Sequence, residues 1–159
     1  MSTFSLSVET NQEVADPPLV VGRPNLVDAE GFTEDMRQIL ESRLFTTHGP
    51  FEKQLEATVE QYLGVRHAVA VCNATLGLEL ALRALELPHG GEVIMPAYTF
   101  AASAHAVHAV GLTPVFADCD PETHLIDLAS AARCAERGRA VALLCVHLWG
   151  AACDADAAP

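Results

Sequence analysis

An apolar run over residues 67–72 breaks at Cys72-Asn73-Ala74-Thr75 and continues as a leucine-rich helical segment. Small residues at a strand-to-helix turn let backbone N–H groups approach a phosphate, whose charge the positive end of the helix dipole favours. The same residues also suit a plain helix cap, with Asn73 and Thr75 as the capping side chains. On spacing alone both readings stay open. A second apolar run, 92–95, ends in Pro96-Ala97-Tyr98-Thr99-Phe100. If both runs are parallel strands, residues 73–75 and 98–100 lie beyond their carboxyl ends, where α/β sheets bind ligands.

Other reactive side chains read more simply. Lys53, the one lysine, falls on the outer face of a helix over 50–63 and reads as solvated. His105 and His108 are spaced i, i+3, which suits two metal ligands, but no carboxylate stands near them and a packing role is expected. Asp118-x-Asp120 could chelate Mg²⁺, yet Asp120-Pro121-Glu122-Thr123 has turn chemistry after a strand. Asp127 is placed to cap a helix. The five cysteines, Cys72, Cys119, Cys134, Cys145 and Cys153, show no CxxC spacing and read as reduced core thiols rather than disulfides or a zinc site.

These residues need elements to hold them. Phe32, Met36, Ile39 and Leu40 recur at helical spacing behind a possible Asp28 cap, and Pro50 suits the first turn of a helix that Gly64 ends. From residue 67 the alternation is regular. Strands are expected at 67–72, 92–95, 113–117 and 139–146, with helices at 75–87, 99–110 and 127–137. The strands are apolar almost throughout, as expected where helices cover both faces of a parallel sheet. Pro114 places its strand at an edge or next to a loop. Residues 1–18 read as a loose leader, Pro24-Asn25 as the close of a short extended piece, and 154–159 as the opening of another helix.

Composition narrows the field. A net charge of −12 repels phosphate backbones and anionic lipid, so neither nucleic acid nor a membrane surface is expected as a partner. No signal-peptide pattern and no apolar run of membrane-spanning length are present, so the expectation is a cytoplasmic protein. There is no Walker A loop, GxGxxG, GxSxG or HExxH.

Five stretches together resemble the DegT/DnrJ/EryC1/StrS family of pyridoxal-phosphate-dependent sugar aminotransferases. They are FTTHGPFEKQLEATVEQYLGVRHAVAV, CNATLGLELALRAL, GGEVIMPAYTFAASAHAV, TPVFADCDPETHLID and VHLWG. The resemblance implies an α/β fold: part of the large domain of a fold-type-I transferase over residues 19–159, a mostly parallel sheet with flanking helices. It also implies a nucleotide-sugar substrate, glutamate as amino donor and a homodimer. Ala74 and Thr75 would bind the cofactor phosphate, Phe100 would stack on the pyridine ring, and Thr46 and His48 lie in a loop near the substrate. His147, by its position near the carboxyl end of the last strand, is a minor candidate for the same pocket.

The resemblance also implies what this chain does not carry. The family's lysine that condenses with the cofactor, and the carboxylate against the pyridine nitrogen, both follow the segment matching 147–150. The chain is therefore expected to be an N-terminal portion without its own catalytic group. In the family, strand 67–72 is joined to the others through strands that come late in the sequence, which here would leave it with an exposed apolar edge. Two other readings compete: a non-catalytic remnant, and a nucleotide-binding α/β module. The module reading is weakened by the missing glycine pattern and by a second strand that ends Met95-Pro96 rather than in an acidic residue.

Overall fold

The structure is a computed structural model that describes Gly22 and residues 28–154. The leader expected over 1–18, the piece closed by Pro24-Asn25 and the helix opening at 155–159 lie outside the described residues. The chain divides into two compact units, Met1–Lys53 and Gln54–Pro159.

The first unit holds α1 (Ala29–Ser42), capped as expected by Asp28, whose Oδ1 accepts the Gly31 N–H at 2.8 Å. Its apolar stripe forms on schedule but stays exposed, with Phe32, Met36 and Leu40 all more than two-fifths open. α2 (Pro50–Leu63) starts at Pro50 and runs across the boundary into the second unit. Gly64 stops it with φ +65, a left-handed conformation that glycine adopts without strain.

In the second unit the order is α3 (Ala74–Ala84), β1 (Glu92–Pro96), α4 (Ala102–Ala109), β2 (Thr113–Ala117), α5 (Leu128–Ala135) and β3 (Ala140–Leu143). The three strands pair in parallel with β1 in the middle, order β2-β1-β3. Every residue of β1 is buried, which explains its unbroken apolar run. Its side chains divide between two layers. Val93 and Met95 pack with Leu82 of α3 and Ala106 and Val107 of α4. Ile94, on the other face, packs with Ala131 and Cys134 of α5. Pro114 stands on the edge strand β2, where its missing N–H costs no ladder bond in the sheet interior.

The β1–β3 register slips after Glu92, so that Ala140 faces Glu92 and Ala142 faces Val93. The extra residue, Val141, crowds Gly91: a Cβ there would lie 2.7 Å from Val141 Cγ2. Glycine is what lets the bulge close. At the amino end of β1, the buried Glu92 carboxylate pairs with the largely exposed Arg139 guanidinium.

One expected strand is not a strand. Residues 67–72 pair with no other strand among the described residues. Instead the Ala68 N–H donates to Glu60 Oε1 at 3.0 Å and the Ala70 N–H to Glu56 Oε1 at 2.9 Å. Two amides two residues apart thus meet two carboxylates four apart, matching the two-residue period of an extended chain to one turn of α2. Val69 and Val71 are left exposed. The other expected elements appear with trimmed ends: 139–146 shortens to β3, 99–110 to α4 and 127–137 to α5, with Asp127 as its cap.

Candidate functional site

In a parallel sheet the helices that link strands run back against them. α4 and α5 do so, and α3 reaches β1 through the short turn at 85–91. The amino ends of all three helices therefore lie on the side of the carboxyl ends of the strands. α3 packs against α4, so the turns at 73–75 and 97–101 belong to adjacent helices.

The head of α3 is capped by Asn73, whose Oδ1 accepts the Leu76 N–H at 2.9 Å while its carbonyl accepts the Gly77 N–H at 3.1 Å. The Ala74 and Thr75 N–H groups have no acceptor among the described residues, as first-turn amides lack one within a helix. No acidic residue stands in this first turn. Asn73 takes the capping role, and Thr75 does not share it. Two free amides, a half-buried hydroxyl and no opposing charge make a donor set that fits a phosphate.

At the carboxyl end of β1, Ala97 N–H donates to Ala117 O at 2.9 Å and Tyr98 N–H to Cys119 Sγ at 3.4 Å. The Tyr98 ring meets His124 edge-on, 6.0 Å between centroids. Thr99 and Ser103 share a hydroxyl hydrogen bond of 2.8 Å, and Phe100 projects with 80% of its surface exposed. An exposed aromatic face at the ligand end of the sheet is available for stacking on a flat ring.

Past β2, Ser130 Oγ accepts the Asp118 N–H at 3.0 Å and lies 3.3 Å from Asp118 Oδ2. Arg133 approaches both Asp118 and Asp127, at 3.9 and 4.0 Å. Asp120 does turn chemistry, as its sequence context suggests. Its Oδ1 accepts the Glu122 and Thr123 N–H groups at 3.0 and 2.7 Å and the Thr123 hydroxyl at 2.9 Å, which hold its carboxyl below the usual aspartate range.

Thr46 and His48 belong to the first unit, by itself a loop leading into α2. Both are exposed. His48 has φ +61, and its N–H donates to Glu52 Oε2 at 2.6 Å. Lys53 is exposed on α2, as expected of a solvated helix lysine.

Two expectations need correction. His105 and His108 do not pack in the core; both face solvent on α4, whose buried face is built from Ser103, Ala106 and Val107. Of the cysteines, Cys134 alone is buried, because the others sit at chain turns rather than inside elements. His147 is exposed, and its Nδ1 accepts the Cys153 N–H at 2.9 Å. The Tyr98–His124 contact and the glutamate pair on α2 escaped sequence reading, since both join residues with no shared motif.

Residues 27–158 match the DegT/DnrJ/EryC1/StrS aminotransferase family. The chain belongs to this family. It is 34% identical over 141 residues to a dTDP-4-amino-4,6-dideoxy-D-glucose transaminase of Escherichia coli, an alignment covering 89% of this chain and 37% of that one. Among solved structures it is similar to DesI, determined in the presence of its TDP-sugar product. The TM-score is 0.79 at 48% identity, over 90% of this chain and 36% of DesI. It is also similar to NtdA of Bacillus subtilis with bound cofactor PMP, with a TM-score of 0.74 and 34% identity over 79% of this chain and 28% of NtdA. This DegT/DnrJ/EryC1/StrS chain thus spans a little over a third of the curated relative's length. Among its described residues no helix is long and apolar enough to cross a membrane.

Proposed function

We propose that this chain is the phosphate- and ring-holding part of a pyridoxal-phosphate-dependent aminotransferase. The enzyme adds an amino group to a keto sugar carried on a nucleotide, takes that group from glutamate, and works as a homodimer in the cytoplasm. The observation that carries the reading is the pair of free amides at Ala74 and Thr75, set at the ligand-binding end of a parallel sheet in a chain of this family. Ala74 and Thr75 hold the cofactor's phosphate through their N–H groups and the Thr75 hydroxyl. Phe100 lies against the pyridine ring, and Thr46 and His48 face the sugar nucleotide.

When bound, the cofactor supplies the electron sink that lets an amino group leave one substrate and join another. What these residues do is bind and orient. Proton movement needs a lysine amine, and Lys53, solvated on α2, does not serve. The chain by itself therefore holds the cofactor without turning over. A nucleotide-binding module is the second reading; nothing at the 73–75 turn favours a dinucleotide over a single phosphate.

Equilibrium dialysis tests the proposal. Pyridoxal phosphate should be retained over pyridoxal, and Thr75→Ala should weaken its retention about tenfold, the loss of one charge-assisted hydrogen bond. Borohydride reduction should leave Lys53 unmodified. Equal retention of the two compounds, or a stoichiometric adduct on Lys53, would overturn it.

A further inference from the structure

Phe100 is exposed over 80% of its surface, and no aromatic ring partners it among the described residues. Packing around the ring therefore does not fix it, and the backbone of residues 97–103 must. On one side that backbone is held by α4. The Phe100 carbonyl accepts the Ser103 N–H at 3.0 Å, and the Thr99 hydroxyl meets the hydroxyl of Ser103, which is buried. On the other side it is held at Tyr98, by two contacts to a single loop. The Tyr98 N–H donates to Cys119 Sγ at 3.4 Å, and the half-exposed Tyr98 ring meets the His124 ring edge-on, with 70° between their planes.

The loop that presents His124 is closely tied for a turn. Cys119 and Ile126 form an antiparallel bridge, and Ile126 is buried in the core layer of Ile94 and Ala131. The Asp127 N–H donates to Asp118 O and the Asp120 N–H to Leu125 O, both at 2.9 Å. The His124 N–H donates to Asp120 O at 2.8 Å, and its φ of +62 is a left-handed value that histidine adopts more readily than most residues. Its ring is exposed, and Tyr98 is its one aromatic contact among the described residues.

We propose that His124, acting through Tyr98, is a positioning residue for the ring of Phe100. This rests on the reading that Phe100 lies against the pyridine ring while Ala74 and Thr75 hold the phosphate. Tyr98 is fixed by Cys119 and His124, and Phe100, two residues on, takes its place at the ligand end of the sheet from Tyr98 and Ser103. Ring stacking depends on offset and separation. A turn freed on the Tyr98 side therefore loses contact with the ring, while the phosphate donors, which belong to α3, keep theirs. Tyr98 and His124 thus serve ring recognition without touching the cofactor.

Equilibrium dialysis of the full chain against pyridoxal phosphate and, separately, inorganic phosphate tests this. His124→Asn removes the ring but keeps a residue that accepts the left-handed backbone. It should weaken retention of pyridoxal phosphate about threefold, the scale of one exposed aromatic pair, and leave inorganic phosphate unchanged. Tyr98→Leu should do the same, whereas Tyr98→Phe, which keeps the ring, should bind as the native chain does. Tyr98→Leu combined with His124→Asn should be no weaker than Tyr98→Leu alone, because the two residues act as one contact. Undiminished pyridoxal phosphate retention in His124→Asn, equal loss of both ligands, or a Tyr98→Phe chain as weak as Tyr98→Leu would each overturn the proposal. A native chain that holds pyridoxal phosphate no more tightly than inorganic phosphate would remove the stacking reading itself, and the positioning role with it.

Discussion

The backbone N–H of Ala70 donates to the carboxylate of Glu56, fourteen residues earlier, at 2.9 Å. With the Ala68–Glu60 bond, it gives residues 67–72 a side-chain substitute for a neighbouring strand. The substitute is weaker than a ladder. Each bond is a charge-assisted contact of a partly exposed carboxylate, contributing about 1 kcal/mol at most. Glu56→Ala should therefore destabilise the chain by about 1 kcal/mol and abolish slow hydrogen exchange at Ala70, while Glu56→Gln, which keeps an acceptor, should preserve much of it. Unchanged exchange at Ala70 in Glu56→Ala would show that another group holds this segment.

The buried pair at the foot of β1 makes a sharper prediction. Glu92 Oε1 meets Arg139, while Oε2 is buried with no hydrogen-bond partner among the described residues. Arg139→Ala would strand a carboxylate in the sheet and should cost about 2 kcal/mol in urea denaturation, reduced from the fully buried case because the guanidinium is exposed. Glu92→Leu with Arg139→Met should recover most of that loss, since an apolar pair carries no desolvation cost. If the double variant is no more stable than Arg139→Ala, the carboxylate is not the source of the cost.

Acid should loosen one turn before the core. The Asp120 carboxyl is held below its usual range by the Thr123 N–H, the Thr123 hydroxyl and the Glu122 N–H. A folded-state value below the unfolded one means that the stabilisation is complete above the ordinary aspartate range and is lost as pH falls through the lowered value. The Glu122 and Thr123 amide resonances should titrate together in that window. Asp120→Asn should remove the titration while keeping the turn, since its amide oxygen still accepts. A Thr123 amide that titrates equally in Asp120→Asn would contradict this account.

Much of the fold was legible because its signals are local. The Asp28, Asn73 and Asp127 caps, the Pro50 start and the Gly64 stop each act within one turn of a helix. The apolar run of β1 announced a strand covered on both faces. Residues 67–72 carried the same apolar signal and misled, because a strand exists only with a partner and sequence pattern does not report partners. His105 and His108 misled for a related reason: on an eight-residue helix, Ala106 and Val107 occupy the buried face, leaving the histidines outside. At the site, the Asn73 cap could be read directly, while Thr75, offered as a second capping side chain, does not cap the helix. The Cys153 contacts with His147 and Val146 could not be read, since they depend on a turn closed by Leu148 and Ala151, which no turn motif announced.

The claim on which the rest turns is that the Ala74 and Thr75 amides receive a phosphate. Amide chemical-shift mapping during parallel titrations with pyridoxal phosphate and pyridoxal tests it most directly. The account predicts that pyridoxal phosphate moves the Ala74 and Thr75 resonances to saturation, that Thr75→Ala weakens this, and that pyridoxal leaves them in place. Resonances that stay fixed with pyridoxal phosphate, or move equally with pyridoxal, would contradict it.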